Sequence, residues 1–549
     1  MKPFHTVLLS GILALALGAC SDSDAPVSVE TPASEAPAPD VSAPTAPVAL
    51  ANPASDVVNS TGVLGGISKE EARKRTLIYS AGASHVFQAT NNLLTLGEIE
   101  RREMAGIPVG PIDVLDAEVD AEIEKLRSES LAKNPGMDFW QQVESMGYTK
   151  ESFQAEKRRH MVLVRLFFPP EPEEWPLDLL KEIFGGTEQG NLYDSWIAGM
   201  PDQLIKRREA GEDYSLDTMT KQMFLLPQVM RWLYSTATIK EPFDGLPEGT
   251  ALSVNGNTVS TDELMDVVEP LLTPVVRERA ARWLELRTQV GAALVAQGVL
   301  MAPAEAQALI DEDKKEYAMS PISYEQVALQ VMGFPSMQIF KEHFQLRRSF
   351  GATLPSPLPL ETMKAHAEKR TQFLGDGKVN AEVILFSALA PNTNVFPMDA
   401  DSFAIQESRA SEAAAKLADG VTWKEIMDEY SDYPDAVPGT MPGAPQPKKG
   451  RFGAQSRNPL RQFLGENDYM DFLQGYSIGE DIFFNAELGQ PQGPIQGPFG
   501  WYIYQVKERT APAKALDVEN DERQIYLVSD DYLSRQFLAF VAKLMGGGQ

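Results

Sequence analysis

Three motifs recur in the same order about 190 residues apart, and a chain that repeats itself in this way builds one supersecondary unit twice. Val63-Leu64-Gly65-Gly66-Ile67-Ser68-Lys69-Glu70-Glu71 returns as Val254-Asn255-Gly256-Asn257-Thr258-Val259-Ser260-Thr261-Asp262-Glu263. Each copy reads as a short extended piece, a Gly turn and a Ser-x-x-Glu capping box, whose two side chains satisfy the first free N–H groups of a helix. Ala105-Gly106-Ile107-Pro108-Val109 corresponds to Gln297-Gly298-Val299-Leu300-Met301, each ahead of an acid-rich helix. The segment from Gln141 to Tyr148 corresponds to that from Glu325 to Phe334, and both lead into basic helices, at Lys157-Arg158-Arg159 and Arg347-Arg348. Two helical modules are therefore expected, at 61–170 and 251–356.

Between them, 171–250 reads as a helical insertion bracketed by Pro169-Pro170-Glu171-Pro172 and Glu241-Pro242. Its apolar residues Met223, Phe224, Leu225, Val229, Trp232 and Leu233 fall at helical spacing, the pattern of a core. A connecting helix is expected at 357–377, and beyond it the texture changes. Val383-Ile384-Leu385-Phe386 is a short buried-strand run, Ser411 to Tyr430 an amphipathic helix, and Gly500 to Val506 a strand rich in β-formers. Gly and Pro crowd 438–453 and 489–500, where loops are expected. The tail, 511–549, carries a helix from Ile525 to Met545 whose stripe of Leu527, Leu533, Phe537, Phe540, Val541 and Leu544 must dock on something, and a helical module is the expected partner. The fold class expected is mainly α with one α+β domain. A length of 549 residues allows three or four units at about 150 residues each.

Residues 1–19 have the form of a secretory signal: Lys2, then an apolar run from Val7 to Leu17 too short to span a bilayer. Leu17-Gly18-Ala19-Cys20 resembles a bacterial lipobox, which implies cleavage before Cys20 and acylation of its thiol and amine; a plain cleaved signal with an incidental Cys is the alternative. Two or more acyl chains anchor stably, at about 0.8 kcal/mol per buried CH₂. Ser21 after the Cys, and not Asp, points by similarity to the outer membrane and a periplasm-facing lipoprotein. Residues 20–60, rich in Ala, Pro and Ser, lack the apolar surface to order themselves and read as a tether reaching about 35 Å as a coil and about 120 Å if extended. The lone Cys excludes an internal disulfide. A formal charge of −28 repels phosphates, so nucleic acid is not an expected partner.

The motifs of familiar chemistry are missing or incomplete. Gly475-Tyr476-Ser477-Ile478-Gly479 has the G-x-S-x-G form, but its general base would be a later His, and the last His is His366. It reads as a loop. Ser130-Leu131-Ala132-Lys133 fits S-x-x-K without a K-T-G. No H-E-x-x-H, P-loop, G-x-G-x-x-G or EF-hand loop is present. His85, His160, His343 and His366 are scattered without an i,i+4 pair, so no metal or other cofactor is expected.

One segment carries a family signature. Lys378 to Phe386, Gly420-Val421-Thr422-Trp423 to Ser431, Gly450-Arg451-Phe452-Gly453 and Gly493 to Ile503 match, in order, the opening strand, first helix, glycine turn and closing hairpin of parvulin-type peptidyl-prolyl isomerases, which 378–510 resembles. The helical repeats before it resemble the N-terminal modules of the SurA, PpiD and PrsA chaperones. The resemblance implies a four-stranded α+β domain and, as partners, unfolded secreted or outer-membrane polypeptides, with no small-molecule substrate. It also implies where catalysis should sit, and there the sequence departs. The family's first His position is Val383, its last is Tyr502, and its Cys or Asp falls near Tyr433 or Asp435. Isomerisation must lower a barrier of about 18–20 kcal/mol by binding the twisted amide better than the planar one. Without those polar groups the domain is expected to catalyse weakly or not at all, while an apolar pocket on Phe452, Phe463, Phe499 and Tyr502 binds peptide. Twenty methionines suit adaptable apolar contact. The chain thus reads as a lipid-anchored envelope chaperone, with an active prolyl isomerase and a structural lipoprotein docked in an envelope assembly as alternatives.

Overall fold

The computed structural model describes residues 66–546 except 108, 110–111, 134–137, 146–147, 187–190, 217–219, 318–322, 389–399 and 434–448. Cys20, the signal, the tether and Asp435 lie outside the described residues. The chain is mainly helical, with two small antiparallel sheets. Its elements divide between two compact units, one of residues 82–271 and one in which 272–549 are joined by the segment before Gly82.

The elements of the first copy are α1 (Lys69–Ala81), α2 (Ala83–Ala105), α3 (Asp116–Lys133), α4 (Phe139–Ser145) and α5 (Lys150–Phe167). There follow α6 (Leu177–Phe184), α7 (Met200–Glu209), α8 (Leu226–Thr236) and the strands β1 (Ile239–Lys240), β2 (Thr250–Val254) and β3 (Asn257–Ser260). The second copy comprises α9 (Thr261–Val268), α10 (Pro274–Ala296), α11 (Pro303–Glu316), α12 (Tyr324–Gln326) and α13 (Met337–Gly351). The repeat is visible helix by helix: α2 and α10 both run 23 residues. Both stop where the repeated glycine takes a left-handed conformation, Gly106 at φ 66° and Gly298 at φ 69°. Both expected caps start their helices: Ser68 Oγ accepts from the Glu71 N–H at 3.2 Å, and Ser260 Oγ from the Glu263 N–H at 3.2 Å, where the Glu263 carboxylate closes the box by accepting from the Ser260 N–H.

The compact units do not follow the expected segments 61–170 and 251–356. In the 82–271 unit, α9 packs on α2, β2 and β3, although it opens the second copy. In the other unit α1, which opens the first copy, packs on α10 and α13 and buries Leu77, Ile78 and Tyr79. Only the apolar faces decide this, and a capping box says nothing about which face a helix will find.

The second unit continues with α14 (Leu360–Leu374), β4 (Lys378–Ser387), α15 (Ala400–Ala418), α16 (Trp423–Tyr430), β5 (Arg451–Gln455), α17 (Arg457–Leu464), α18 (Asp468–Gln474), α19 (Ile478–Phe484), β6 (Pro491–Gly497), β7 (Gly500–Thr510) and α20 (Glu522–Leu544). The single helix expected from Ser411 to Tyr430 is two, because Gly420 turns left-handed at φ 92° and Thr422 caps a new helix through the Glu425 N–H. The four strands pair antiparallel in the order β5-β4-β7-β6, with Ile384 opposite Ile503 and Leu385 opposite Tyr502. Alternate residues serve two cores. Ile384, Phe386 and Ile503 meet Ile426 and Met427 of α16, while Val383, Leu385 and Tyr502 face α17 and α19. A strand covered on both faces reads as an unbroken apolar run, the texture of Val383 to Phe386. As expected, the last helix docks on the second helical repeat: Phe537 and Phe540 lie on Phe350 of α13 at 5.6 and 5.1 Å between ring centroids.

Candidate functional site

The candidate site lies where the β4–β7 face meets α17 and α19. Gly450 admits β5 to it: its Cβ would stand 1.9 Å from the Val383 carbonyl oxygen, and the backbone turns there at φ 86°. Val383, where the resemblance implies a His, is fully buried. Tyr433 and Tyr502 are also buried, and both phenols are fastened to the main chain. The Tyr433 hydroxyl donates to the Phe463 carbonyl at 2.9 Å. The Tyr502 hydroxyl donates to the Leu464 carbonyl at 2.9 Å and accepts from the Phe499 N–H at 3.2 Å. Burial raises the pKa of both well above the usual phenol range, with Glu466 adding to the effect on Tyr433 and Tyr433 to that on Tyr502, so they stay protonated donors.

Phe452, expected on the wall of an open peptide pocket, is 5 % exposed. It stacks on Phe463 at 4.8 Å and meets Tyr433 edge-on at 5.2 Å. Aromatic pairs at these separations stabilise one another beyond the area they bury, so Phe452 belongs to the core. Phe463 and Phe499 remain half-buried at its border. The Phe499 ring lies on the backbone of Gly465, where a Cβ would approach within 2.4 Å. The site therefore brings together Val383, Tyr433, Phe452, Phe463, Phe499 and Tyr502, with the centre filled by side chains.

Glu466, one residue beyond Gly465, is buried and accepts from the Gly479 N–H at 2.9 Å, the Ser477 hydroxyl at 3.0 Å and the Ile478 N–H. Ser477 is in turn the N-cap of α19, accepting from the Glu480 N–H at 3.2 Å. The G-x-S-x-G segment is thus a helix start with its serine engaged as a cap, and no His accompanies it. Ser130 is buried in α3. His85, His160, His343 and His366 lie on α2, α5, α13 and α14, and none belongs to the aromatic cluster of the site. Among the described residues no group of three His, Cys, Asp or Glu could hold a metal ion, and no helix is long and apolar enough to cross a membrane. Sequence reasoning named Tyr433 and Tyr502 but missed Glu466 and the fastening of the two phenols, because the partners are largely main-chain groups that only tertiary packing supplies.

Fold and site together describe a mainly helical protein with a four-stranded antiparallel α+β domain whose aromatic centre is closed. No protein-family model and no curated protein matches the chain. Among solved structures it is similar to the peptidylprolyl isomerase PrsA from Bacillus anthracis, at 14% identity over 48% of this chain and 99% of that one, with a TM-score of 0.18. It is also similar to PrsA from Bacillus cereus, at 14% identity over 54% and 88% (TM-score 0.18), and to PrsA from Bacillus subtilis, at 15% over 52% and 89% (TM-score 0.15).

Proposed function

We propose that this chain is an envelope chaperone that holds unfolded secreted or outer-membrane polypeptides, and that its parvulin-like domain binds or braces without efficient catalysis. The observation that carries this reading is the pair Tyr433 and Tyr502, whose rings fill the centre of the site and whose hydroxyls are engaged by main-chain groups. A well-placed acid, base or electrostatic group commonly contributes 10²-fold or more, and neither phenol has a free hydroxyl to offer a twisting amide. Exposed apolar groups support client contact. Met104 is 83 % exposed, and Trp196 meets the exposed Phe224 edge-on at 5.9 Å.

The test uses the full mature chain in two assays. Aggregation of an unfolded outer-membrane protein is expected to be suppressed at near-stoichiometric amounts, and isomerisation of a prolyl peptide to run at least about a hundredfold below an intact parvulin. A parvulin-like rate identifies an active isomerase instead, and no suppression of aggregation favours a structural lipoprotein without transient clients.

The anchor is part of the same proposal: lipid on Cys20, with the protein facing the periplasm and the outer membrane preferred. Its support is the lipobox-like Leu17-Gly18-Ala19-Cys20 at the end of an apolar run. Mass spectrometry of the mature N-terminus is expected to find an acylated Cys20. An unmodified Cys20, or cleavage elsewhere, refutes the anchor and leaves the chaperone reading to the assays above.

A further inference from the structure

The 82–271 unit holds a cavity of about 470 Å³, within the roughly 300–1,000 Å³ typical of ligand sites. Phe168, Trp175, Leu204 and Leu216 give it an apolar wall, and Glu122, Arg165, Asp213 and Lys221 bring charge to its lining. Lys157 of α5 also lines it, and that residue is 2 % exposed. The Lys157 ammonium has no hydrogen-bond partner among the described residues and sits over the face of the Phe153 ring at 5.3 Å.

The carboxylates of the lining do not meet this need: Glu122 acts on Lys157 through space without a hydrogen bond, and Asp213 accepts from the Ser215 N–H at 2.9 Å. Arg165, also in the lining, is engaged by Glu118 and the Asp113 carbonyl. His160 is held neutral by burial and by the cations Lys157 and Arg159. Burial pushes the Lys157 pKa down to about 8, with Glu122 opposing the shift, so the group remains mostly charged at neutral pH. A buried ammonium that lacks an acceptor is costly, and the cost falls when an anion enters. The same lining carries Glu122, Asp213 and Ser215. With Asp213 engaged by the Ser215 N–H, the Glu122 carboxylate suits an occupant with N–H groups, which a peptide has and a hydrocarbon chain lacks.

We propose that this cavity receives the C-terminal carboxylate of a polypeptide whose last side chains are apolar, with the Lys157 ammonium as its counter-charge. The proposal rests on the reading of the chain as a polypeptide binder and adds which end of a client it holds.

The test is calorimetric titration of the full mature chain with a short N-acetylated peptide ending in Leu-Phe, as free acid and as C-terminal amide. The acid is expected to bind about ten- to a hundredfold tighter, the size of one charge-assisted hydrogen bond. Lys157→Met should abolish that preference and raise the melting temperature of the free protein, since it removes a buried charge without a partner. Equal affinity for acid and amide, a preference that survives Lys157→Met, or a melting temperature that falls in the variant overturns the proposal. Decanoate that competes as strongly as the peptide acid also overturns it, by showing that any apolar carboxylate suffices. If the acid preference is absent while aggregation is still suppressed, the cavity assignment fails and the chaperone reading stands; if both are absent, both fail.

Discussion

Arg370→Met is expected to lower the stability of the second unit by about 3–5 kcal/mol, the cost of leaving a buried carboxylate without its partner. Arg370 of α14 donates from Nε to Asp531 of α20 at 2.9 Å and from a terminal nitrogen to Glu480 of α19 at 2.5 Å. His366 completes the cluster at 2.8 Å from Asp531. The Arg370 guanidinium also covers the rings of Phe373 and Phe484 at 4.5 and 4.6 Å. Adding Asp531→Asn removes the stranded charge and should recover part of the loss. Urea unfolding of the single and double variants gives the comparison, and a loss below about 1 kcal/mol in the single variant contradicts it. The cluster also sets an acid limit. Burial alone would raise the Asp531 pKa, but hydrogen bonds from His366 and Arg370 hold it well below the usual carboxylate range. A carboxyl lowered on folding contributes in full above its unfolded value, near pH 4, and the contribution is lost as the pH falls further. The intact chain should therefore lose stability steeply below pH 4, and Arg370→Met should flatten that slope.

Trp283→Ala should cost as much, about 3–5 kcal/mol, from lost burial and the cavity left behind. Trp283 of α10 is fully buried, and its ring meets Phe472 at 5.2 Å, Tyr469 at 5.7 Å and His343 at 6.4 Å. Its indole N–H donates at 3.0 Å to Glu342, which also pairs with Arg287 at 2.9 Å. One side chain thus ties α10, α13 and α18 together. Hydrogen exchange should show α10, α13 and α18 losing protection while α3 to α5 keep theirs. Trp283→Phe keeps most of the ring contact and should cost clearly less. Equal losses for Ala and Phe would mean that the hydrogen bond to Glu342, and not the packing, is the stabilising contact.

What the sequence made legible is local. Ser68 and Ser260 announced their helices because a capping box needs only residues three positions apart. Gly106 and Gly298 marked helix ends because a left-handed residue favours glycine wherever it occurs. The apolar run from Val383 to Phe386 showed a strand covered on both faces. The closed centre of the site was not legible. Phe452 and Tyr502 look the same in a sequence whether they line a pocket or fill one, and the carbonyls of Phe463 and Leu464 that hold the phenols leave no trace in composition. Lys157 shows the same limit. Among Lys157-Arg158-Arg159 it looked like one charge in a basic helix end, yet the turn of α5 buries it and leaves Arg158 at the surface.

The place of α1 bears on the order in which the protein can be made. Its apolar face, Leu77, Ile78 and Tyr79, is covered by α10 and α13, which come after the whole of residues 82–271. At about 5–20 residues per second, synthesis leaves that face uncovered for on the order of ten seconds or more. Closing so long a loop adds little entropic cost compared with a shorter one, because the cost rises only with the logarithm of length. The penalty is one of time. A nascent chain presents a bare apolar helix until its later helices emerge, so a protein proposed to shield unfolded chains passes through an interval in which it needs shielding itself.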